Sequence, residues 1–267
     1  MAKPVIVRKM RGSEGLPRYP AGFFAGLLAA TAFFTRVPVD RQAMGGWRLA
    51  DLAWAFPLVG AGIGGIAALA LLSAQLVGLG NWPAALMSVL AGLVLTGALH
   101  EDGLADTADG FFGGRDRGEK LAILRDSRHG TYGVLALALS VLLRAAALAS
   151  IGDVIHAGLA LIAAHAASRG ALPAAMWALA PARPDGLGAE AGTPRTAGAI
   201  AAAVIGTAIA LAALGPGRGA IALGFAGVFV FGMARLARRQ IGGYTGDVLG
   251  AFQQTGEIVI LLVASAR

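Results

Sequence analysis

The sequence predicts an all-α fold: a polytopic transmembrane helical bundle of about seven spans, with a short re-entrant or interfacial N-terminal helix. Three observations predict it. First, hydrophobic residues make up 57% of the 267 and charged residues only 14%, with a mean hydropathy of +0.69. Soluble domains carry about 25% charged residues, so one aqueous core cannot hide this apolar surplus and a bilayer can. Second, the apolar residues gather into runs near the roughly 20 residues a spanning helix needs. Third, the runs lack the period-two alternation of barrel strands, so a backbone deprived of water satisfies its hydrogen bonds as helix.

Residues 1–20 form a basic N-terminal arm, with Lys3, Arg8, Lys9, Arg11 and Arg18 among Pro4, Pro17 and Pro20. This charged start before an apolar stretch resembles a signal peptide, but no clear small-residue cleavage site follows, so retention is expected. The apolar runs are 21–35, 52–79, 83–99, 132–151, 154–180, 197–214, 220–236 and 248–264. The first is short for a span. The run 154–180 is long and is expected to tilt or break near Gly170 and Pro173. Residues 21–267 read as a single integral membrane catalytic domain, without internal repeat or low-complexity linker. Abundant Gly and Ala suit close helix packing in lipid. The lack of cysteine excludes a disulfide framework, a thiol nucleophile and a thiolate metal site.

The formal net charge of +7 falls in the gaps between apolar runs, so membrane orientation explains it and no nucleic-acid partner is expected. On the side that holds residues 100–130 lie Arg36, Arg41, Arg48, Arg115, Arg117, Lys120, Arg125, Arg128, Arg183, Arg195, Arg235, Arg238 and Arg239; the opposite side has Arg218 and Arg267. The positive-inside rule therefore places residues 100–130 in the cytoplasm. The basic arm also favours the inside, where it suits anionic membrane lipid. A single span at 21–35 would strand Arg36 outside, which is why that run is assigned as re-entrant or interfacial.

Of the 15 Asp and Glu in the chain, Glu101, Asp102, Asp106, Asp109, Asp116, Glu119 and Asp126 fall in this one segment. Asp102, Asp106 and Asp109 are spaced i, i+4, i+7, which on a helix puts them within about 60° of one another. Like charges so placed repel, so a positive species belongs among them, and hard oxygen ligands suit Mg²⁺ or Mn²⁺. A solvated acidic helix end is the plainer alternative. Next come Arg115, Arg117, Lys120, Arg125 and Arg128, interleaved with Gly113, Gly114, Gly118, Ser127, Gly130 and Thr131. Arg grips phosphate oxygens in pairs and Gly admits close backbone approach. Acid for a metal beside base for phosphate indicates a metal-dependent phosphoryl-group site, although membrane orientation alone also accounts for these cations. Arg169, inside a run, must face a cavity or counter-charge and is a candidate lining residue. Arg144 is expected to snorkel to the interface. His100 and His129 flank the acidic segment; a general-base role is open to either, with a packed or hydrogen-bonded side chain the plainer reading; His156 and His165 read as structural. Asp247 is a helix cap or a substrate contact. Gln253, Gln254 and Glu257 share one face of the last run, to bond neighbouring helices or reach substrate.

The string His100-Glu101-Asp102-Gly103-Leu104-Ala105-Asp106-Thr107-Ala108-Asp109-Gly110 closely resembles the signature of the cobalamin synthase, or adenosylcobinamide-GDP ribazoletransferase, family. So does Arg125-Asp126-Ser127-Arg128-His129-Gly130-Thr131-Tyr132-Gly133. Phe34-Thr35-Arg36-Val37-Pro38-Val39, Phe56-Pro57-Leu58-Val59-Gly60, Ser168-Arg169-Gly170 and Gly246-Asp247-Val248-Leu249-Gly250-Ala251 agree in order and spacing. The resemblance implies a Mg²⁺-dependent enzyme of the bacterial cytoplasmic (inner) membrane, its active site facing the cytoplasm, in the last steps of vitamin B12 assembly. It joins adenosylcobinamide-GDP to α-ribazole or α-ribazole 5′-phosphate, giving adenosylcobalamin or its 5′-phosphate and GMP. On that reading Asp102, Asp106 and Asp109 hold metal, with Asp126 completing the shell. Asp106 or Asp109 takes the proton of the attacking hydroxyl. Arg36, Arg125, Ser127, Arg128, Arg169 and Asp247 bind substrate. Two positions depart from the family pattern: Glu101 stands where an apolar residue is common, so no essential role is expected of it, and Ala122 stands where an acid is expected.

Two other readings fit the same segment. CDP-alcohol phosphotransferases also present helically spaced aspartates in a membrane, but their Ala-Arg step and longer aspartate array are missing here. An ion-coupled transporter would show inverted repeats and acids at mid-bilayer depth, whereas these acids cluster at one boundary. A homo-oligomer is left open.

Overall fold

The computed structural model describes residues 22–39, 48–126 and 128–266. The basic arm 1–20, Arg41 and Ser127 lie outside the described residues. Within them all regular structure is helical, and the sole strand-like pairing is an isolated bridge between Pro181 and Tyr244.

Helix α1 (Phe23–Phe34) has 12 residues, too few to cross a bilayer. A 3₁₀ turn (Leu49–Ala55) runs directly into α2 (Phe56–Leu76), where Pro57 sits in the first turn, its missing N–H costing nothing. Then come α3 (Asn81–Thr96), α4 (Leu99–Gly113), α5 (Arg117–Ile123), α6 (Thr131–Ile151), α7 (Val154–Ala178), α8 (Leu187–Glu190), α9 (Thr196–Leu214), α10 (Pro216–Ile241) and α11 (Gly246–Ser265). By length and apolarity six helices can each cross a membrane: Leu49–Leu76, α6, α7, α9, α10 and α11. Among the described residues a further pair, α3 and α4, is apolar enough only when taken together and meets at 91°, either a broken span, which would make seven, or a re-entrant loop. The multi-pass helical membrane fold is therefore as predicted.

Two local expectations are corrected. Helix α7 passes unbroken through Gly170 and Pro173, as proline-containing helices can where neighbouring helices support the backbone. The acidic segment does not continue the run 83–99. Gly97 (φ 65) and Ala98 (φ 56) both take left-handed backbone, ending α3 and restarting the chain in a new direction as α4. Arg36 braces this elbow: its N–H donates to the Leu95 carbonyl at 2.7 Å, and its guanidinium packs on Gly97.

The bundle is built around α7, most of which is buried. Small residues let backbones meet. A Cβ on Gly64 of α2 would lie 2.6 Å from the Leu161 carbonyl oxygen of α7, and one on Gly170 of α7 would lie 2.8 Å from the Ala202 carbonyl oxygen of α9. Gly60 and Gly64 thus act as a small-xxx-small contact. Outward faces carry exposed Leu69, Val94, Leu139, Val204, Val228 and Phe231, the surface a lipid solvent requires. Gly64→Val should cost about 1–3 kcal/mol through overpacking, seen as a lower melting temperature of the detergent-solubilised protein than that of Gly62→Val, where a Cβ meets nothing within 4 Å.

Candidate active site

Glycine spacing brings the acidic helix α4 into the bundle. A Cβ on Gly103 would lie 2.6 Å from the Asp247 carbonyl oxygen of α11, and one on Gly110 would lie 2.9 Å from Leu124 Cγ just after α5. With these faces packed, α4 turns Asp102, Asp106 and Asp109 toward one partner, the segment 128–133 that leads into α6. His129 Nε2 lies 3.9 Å from Asp102 Oδ1, and His129 Nδ1 lies 3.7 Å from Asp106 Oδ1. Asp109 accepts the Gly130 N–H at 2.7 Å on one oxygen and the Gly133 N–H at 2.8 Å on the other. The stripe grades inward: the Asp102 side chain is 64% exposed, that of Asp106 14%, and Asp109 is buried at 6%. The common face expected from the spacing is present.

Asp247 begins α11 within electrostatic reach of Asp102 and Arg183. It does not cap the helix; Thr245 does, accepting the Val248 N–H at 3.3 Å and donating its hydroxyl to Asp247 at 3.2 Å. The Arg183 Nη1 is buried without a hydrogen-bond partner. Four other cations near the site are engaged. Arg125 donates to Asp185 at 2.6 Å. Arg128 pairs with Asp126 at 2.7 Å, a hydrogen bond that raises the Arg128 pKa above its usual value. Arg117 ties the end of α10 to the following loop by donating to the Ile241 and Ala182 carbonyls, each at 2.9 Å. Lys120 donates to Gln240. On the opposite end of α6, His156 donates its backbone N–H to Asp153 at 2.8 Å, holding that exposed carboxyl below its usual range.

Behind α4 lies a second polar group. Arg144 does not snorkel, contrary to expectation: it is 3% exposed and donates to both Glu101 and Glu257 at 3.0 Å. Arg169 is 1% exposed, with Nη1 2.9 Å from His165 Nδ1 and Nη2 3.4 Å from His100 Nδ1. The counter-charge expected for a buried Arg is Glu257, 3.9 Å away. Gln253 and Gln254 bond their neighbours here rather than facing open solvent. These described contacts put Arg169 and His100 in the bundle interior, on the far side of α4 from the stripe.

Among the described residues no three His, Asp or Glu side chains converge as a preformed metal cage. Mg²⁺ does not need one: it takes one or two carboxylates and fills its shell with water and substrate phosphate. Asp102 and Asp106, one helical turn apart and facing the same imidazole, fit that requirement. Asp109 already accepts two backbone N–H groups and serves first as an anchor.

A model of the family described as cobalamin-5-phosphate synthase matches residues 26–265. The chain belongs to that family. Three curated relatives, each named adenosylcobinamide-GDP ribazoletransferase, span nearly the whole chain. That of Bradyrhizobium diazoefficiens is 51% identical over 91% of this chain and 94% of its own. That of Mesorhizobium japonicum is 50% identical over 87% and 90%, and that of Azorhizobium caulinodans 45% over 88% and 92%. No solved structure matches the chain at a significant level. In this member of the cobalamin-5-phosphate synthase family, two of the strings that carried the resemblance meet through Asp102, Asp106 and Asp109 on one side and His129, Gly130 and Gly133 on the other. Two residues of this site escaped sequence reasoning. His129 was in view, but nothing in the spacing showed that it sits between two aspartates. Arg183 read only as a loop cation.

Asp109→Ala should leave the Gly130 and Gly133 N–H groups unbonded and lower stability by about 1–3 kcal/mol. Asp109→Asn, which keeps one acceptor oxygen, should lose less. Thermal unfolding of the two purified variants against wild type checks the order.

Proposed function

We propose that the protein is a Mg²⁺-dependent transferase at the cytoplasmic face of the bacterial inner membrane. It joins adenosylcobinamide-GDP to α-ribazole or α-ribazole 5′-phosphate and releases GMP, forming adenosylcobalamin or its 5′-phosphate. The names of the relatives support the substrate class, and the Lys and Arg bias supports the orientation. The observation that carries the chemistry is the convergence of Asp102 and Asp106 on His129.

Asp102 and Asp106 would hold Mg²⁺ against the donor pyrophosphate. When bound, the ion supplies charge neutralisation on the phosphates and on departing GMP. The ribazole hydroxyl oxygen bonds to the cobinamide-side phosphorus, the bond from that phosphorus to the GMP oxygen breaks, and GMP leaves with the electron pair. The hydroxyl proton passes to the Asp106–His129 pair, whose imidazole is 38% exposed and so open to an acceptor. Arg183, with its unbonded Nη1, donates to phosphate oxygens, as does Arg36 at the elbow. Arg128, 87% exposed, exchanges Asp126 for substrate at the rim. Asp109 keeps the 128–133 segment in place.

The test incubates the purified protein in liposomes with adenosylcobinamide-GDP, α-ribazole 5′-phosphate and Mg²⁺. GMP and cobalamin 5′-phosphate should appear together, and chelation should abolish both. Asp106→Asn should slow the reaction by about 10²–10³-fold. Full activity in that variant, or no GMP from wild type, contradicts the assignment.

A further inference from the structure

The charged group behind α4 is not used by the chemistry above, and its members come from separate helices. Glu101 belongs to α4, Arg144 to α6, His165 and Arg169 to α7, and Glu257 to α11. Glu101 Oε1 accepts Arg144 Nη1 at 3.0 Å and Gln254 Nε2 at 3.1 Å. The same Arg144 nitrogen reaches Glu257 at 3.0 Å, and Gln254 in turn accepts the Ser140 hydroxyl at 2.8 Å. Glu101, Arg144, Glu257 and Gln254 are all at most 5% exposed. Glu101 Oε2, Arg144 Nη2 and Arg169 Nε have no hydrogen-bond partner. Their residues line a cavity of about 10 Å³, close to the size of one water molecule.

This matters because the N-terminal end of α4, unlike the half tethered through Asp109, is not fixed by the helix before it. It enters through the left-handed Ala98 after a 91° turn, so no straight helix upstream fixes its rotation. On a helix, successive side chains turn by about 100°, which points Glu101 away from the stripe that begins at Asp102. A grip on Glu101 therefore sets which way the aspartates face. A buried pair of this kind fixes geometry more than it adds stability, because desolvation offsets much of the attraction, while loss of one partner leaves a bare charge.

We propose that Glu101 is the positioning residue of the acidic helix: through Arg144 it locks the rotation of α4 against α6 and α11 so that Asp102 and Asp106 meet His129. The rate readout below rests on the reaction assigned above; the distance readout does not.

Four forms of the full chain are compared: wild type, Glu101→Gln, Glu101→Leu and the double variant Glu101→Leu/Arg144→Met. For each, turnover, Mg²⁺ half-saturation and melting temperature are measured. Because the chain has no cysteine, nitroxides can be placed on cysteines introduced at exposed Phe112 on α4 and Leu139 on α6, with Val204 on α9 and Val228 on α10 as the control pair. Glu101→Gln still accepts from Arg144 and Gln254 and should stay within about threefold of the wild-type rate. Glu101→Leu should lose tenfold or more and need more Mg²⁺, with the α4–α6 distance shifted or broadened and the α9–α10 distance unchanged. In Glu101→Leu Arg144 keeps Glu257 at 3.0 Å; the double variant removes Arg144 too, leaves Glu257 with His165 and Arg169 within 4 Å, and should regain neither the rate nor the distance. Glu101→Leu with an unchanged α4–α6 distance, or a double variant that regains rate together with stability, overturns the proposal. If wild type forms no product, the assigned reaction fails, and the distance pair alone decides the role of Glu101.

Discussion

At the start of α6 two backbone N–H groups, those of Gly130 and Gly133, end on one carboxylate, that of Asp109. The first turn of any helix has N–H groups with no partner inside the helix, and the helix dipole favours a negative charge there. Here that charge comes from another helix, so the interaction is both a cap and a tether. It requires glycine on both sides of the contact: a Cβ on Gly130 would lie 2.6 Å from Asp109 Oδ1, and one on Gly133 would also collide with the carboxylate. With the tether made, and Glu101 gripped from behind, Asp106 and Asp102, one and two turns back along α4, lie toward His129. The two outer aspartates and the imidazole are thus brought together in part by a residue that the sequence pattern groups with those aspartates.

The rest of the bundle separates polar from apolar work. Lipid-facing helices such as α9 and α10 are exposed and apolar along most of their length. Polar side chains are gathered behind α4, where Arg144, Arg169 and Glu257 sit in the interior with partners within 4 Å. Ionised groups at membrane depth are costly unless paired, and the pairing here spans four helices. Close glycine contacts between α2, α7 and α9 supply the packing that an apolar solvent cannot drive. The acidic helix therefore has a buried, charged back and a front that becomes more exposed from Asp109 to Asp102.

Much of this was legible in the sequence because membrane solvent imposes simple rules. Run length and charge gaps gave the helical class and the crossings, and the i, i+4, i+7 spacing gave a true common face. What failed involved contacts between distant positions or single backbone angles. Hydropathy is blind to the left-handed Ala98, so the run 83–99 read as a straight span leading into the acids. Arg144 read as a snorkelling cation because its partners, Glu101 and Glu257, are far away in sequence. Asp109 was indistinguishable from Asp102 and Asp106 by residue type; only the position of Gly130 and Gly133 separates anchor from ligand. Of the tilt or break expected near Gly170 and Pro173, the break does not occur, because helices packed around α7 support its backbone.

The most direct measurement of the central claim uses a chain with cysteines at positions 102 and 129 and no others. The native side-chain atoms there lie 3.9 Å apart and are partly exposed, so a short bis-maleimide reaches both. The tether account predicts a high yield of intramolecular cross-link that collapses when Asp109→Ala is added. A pair that fails to cross-link with Asp109 intact, or one that links equally well without it, would contradict the account.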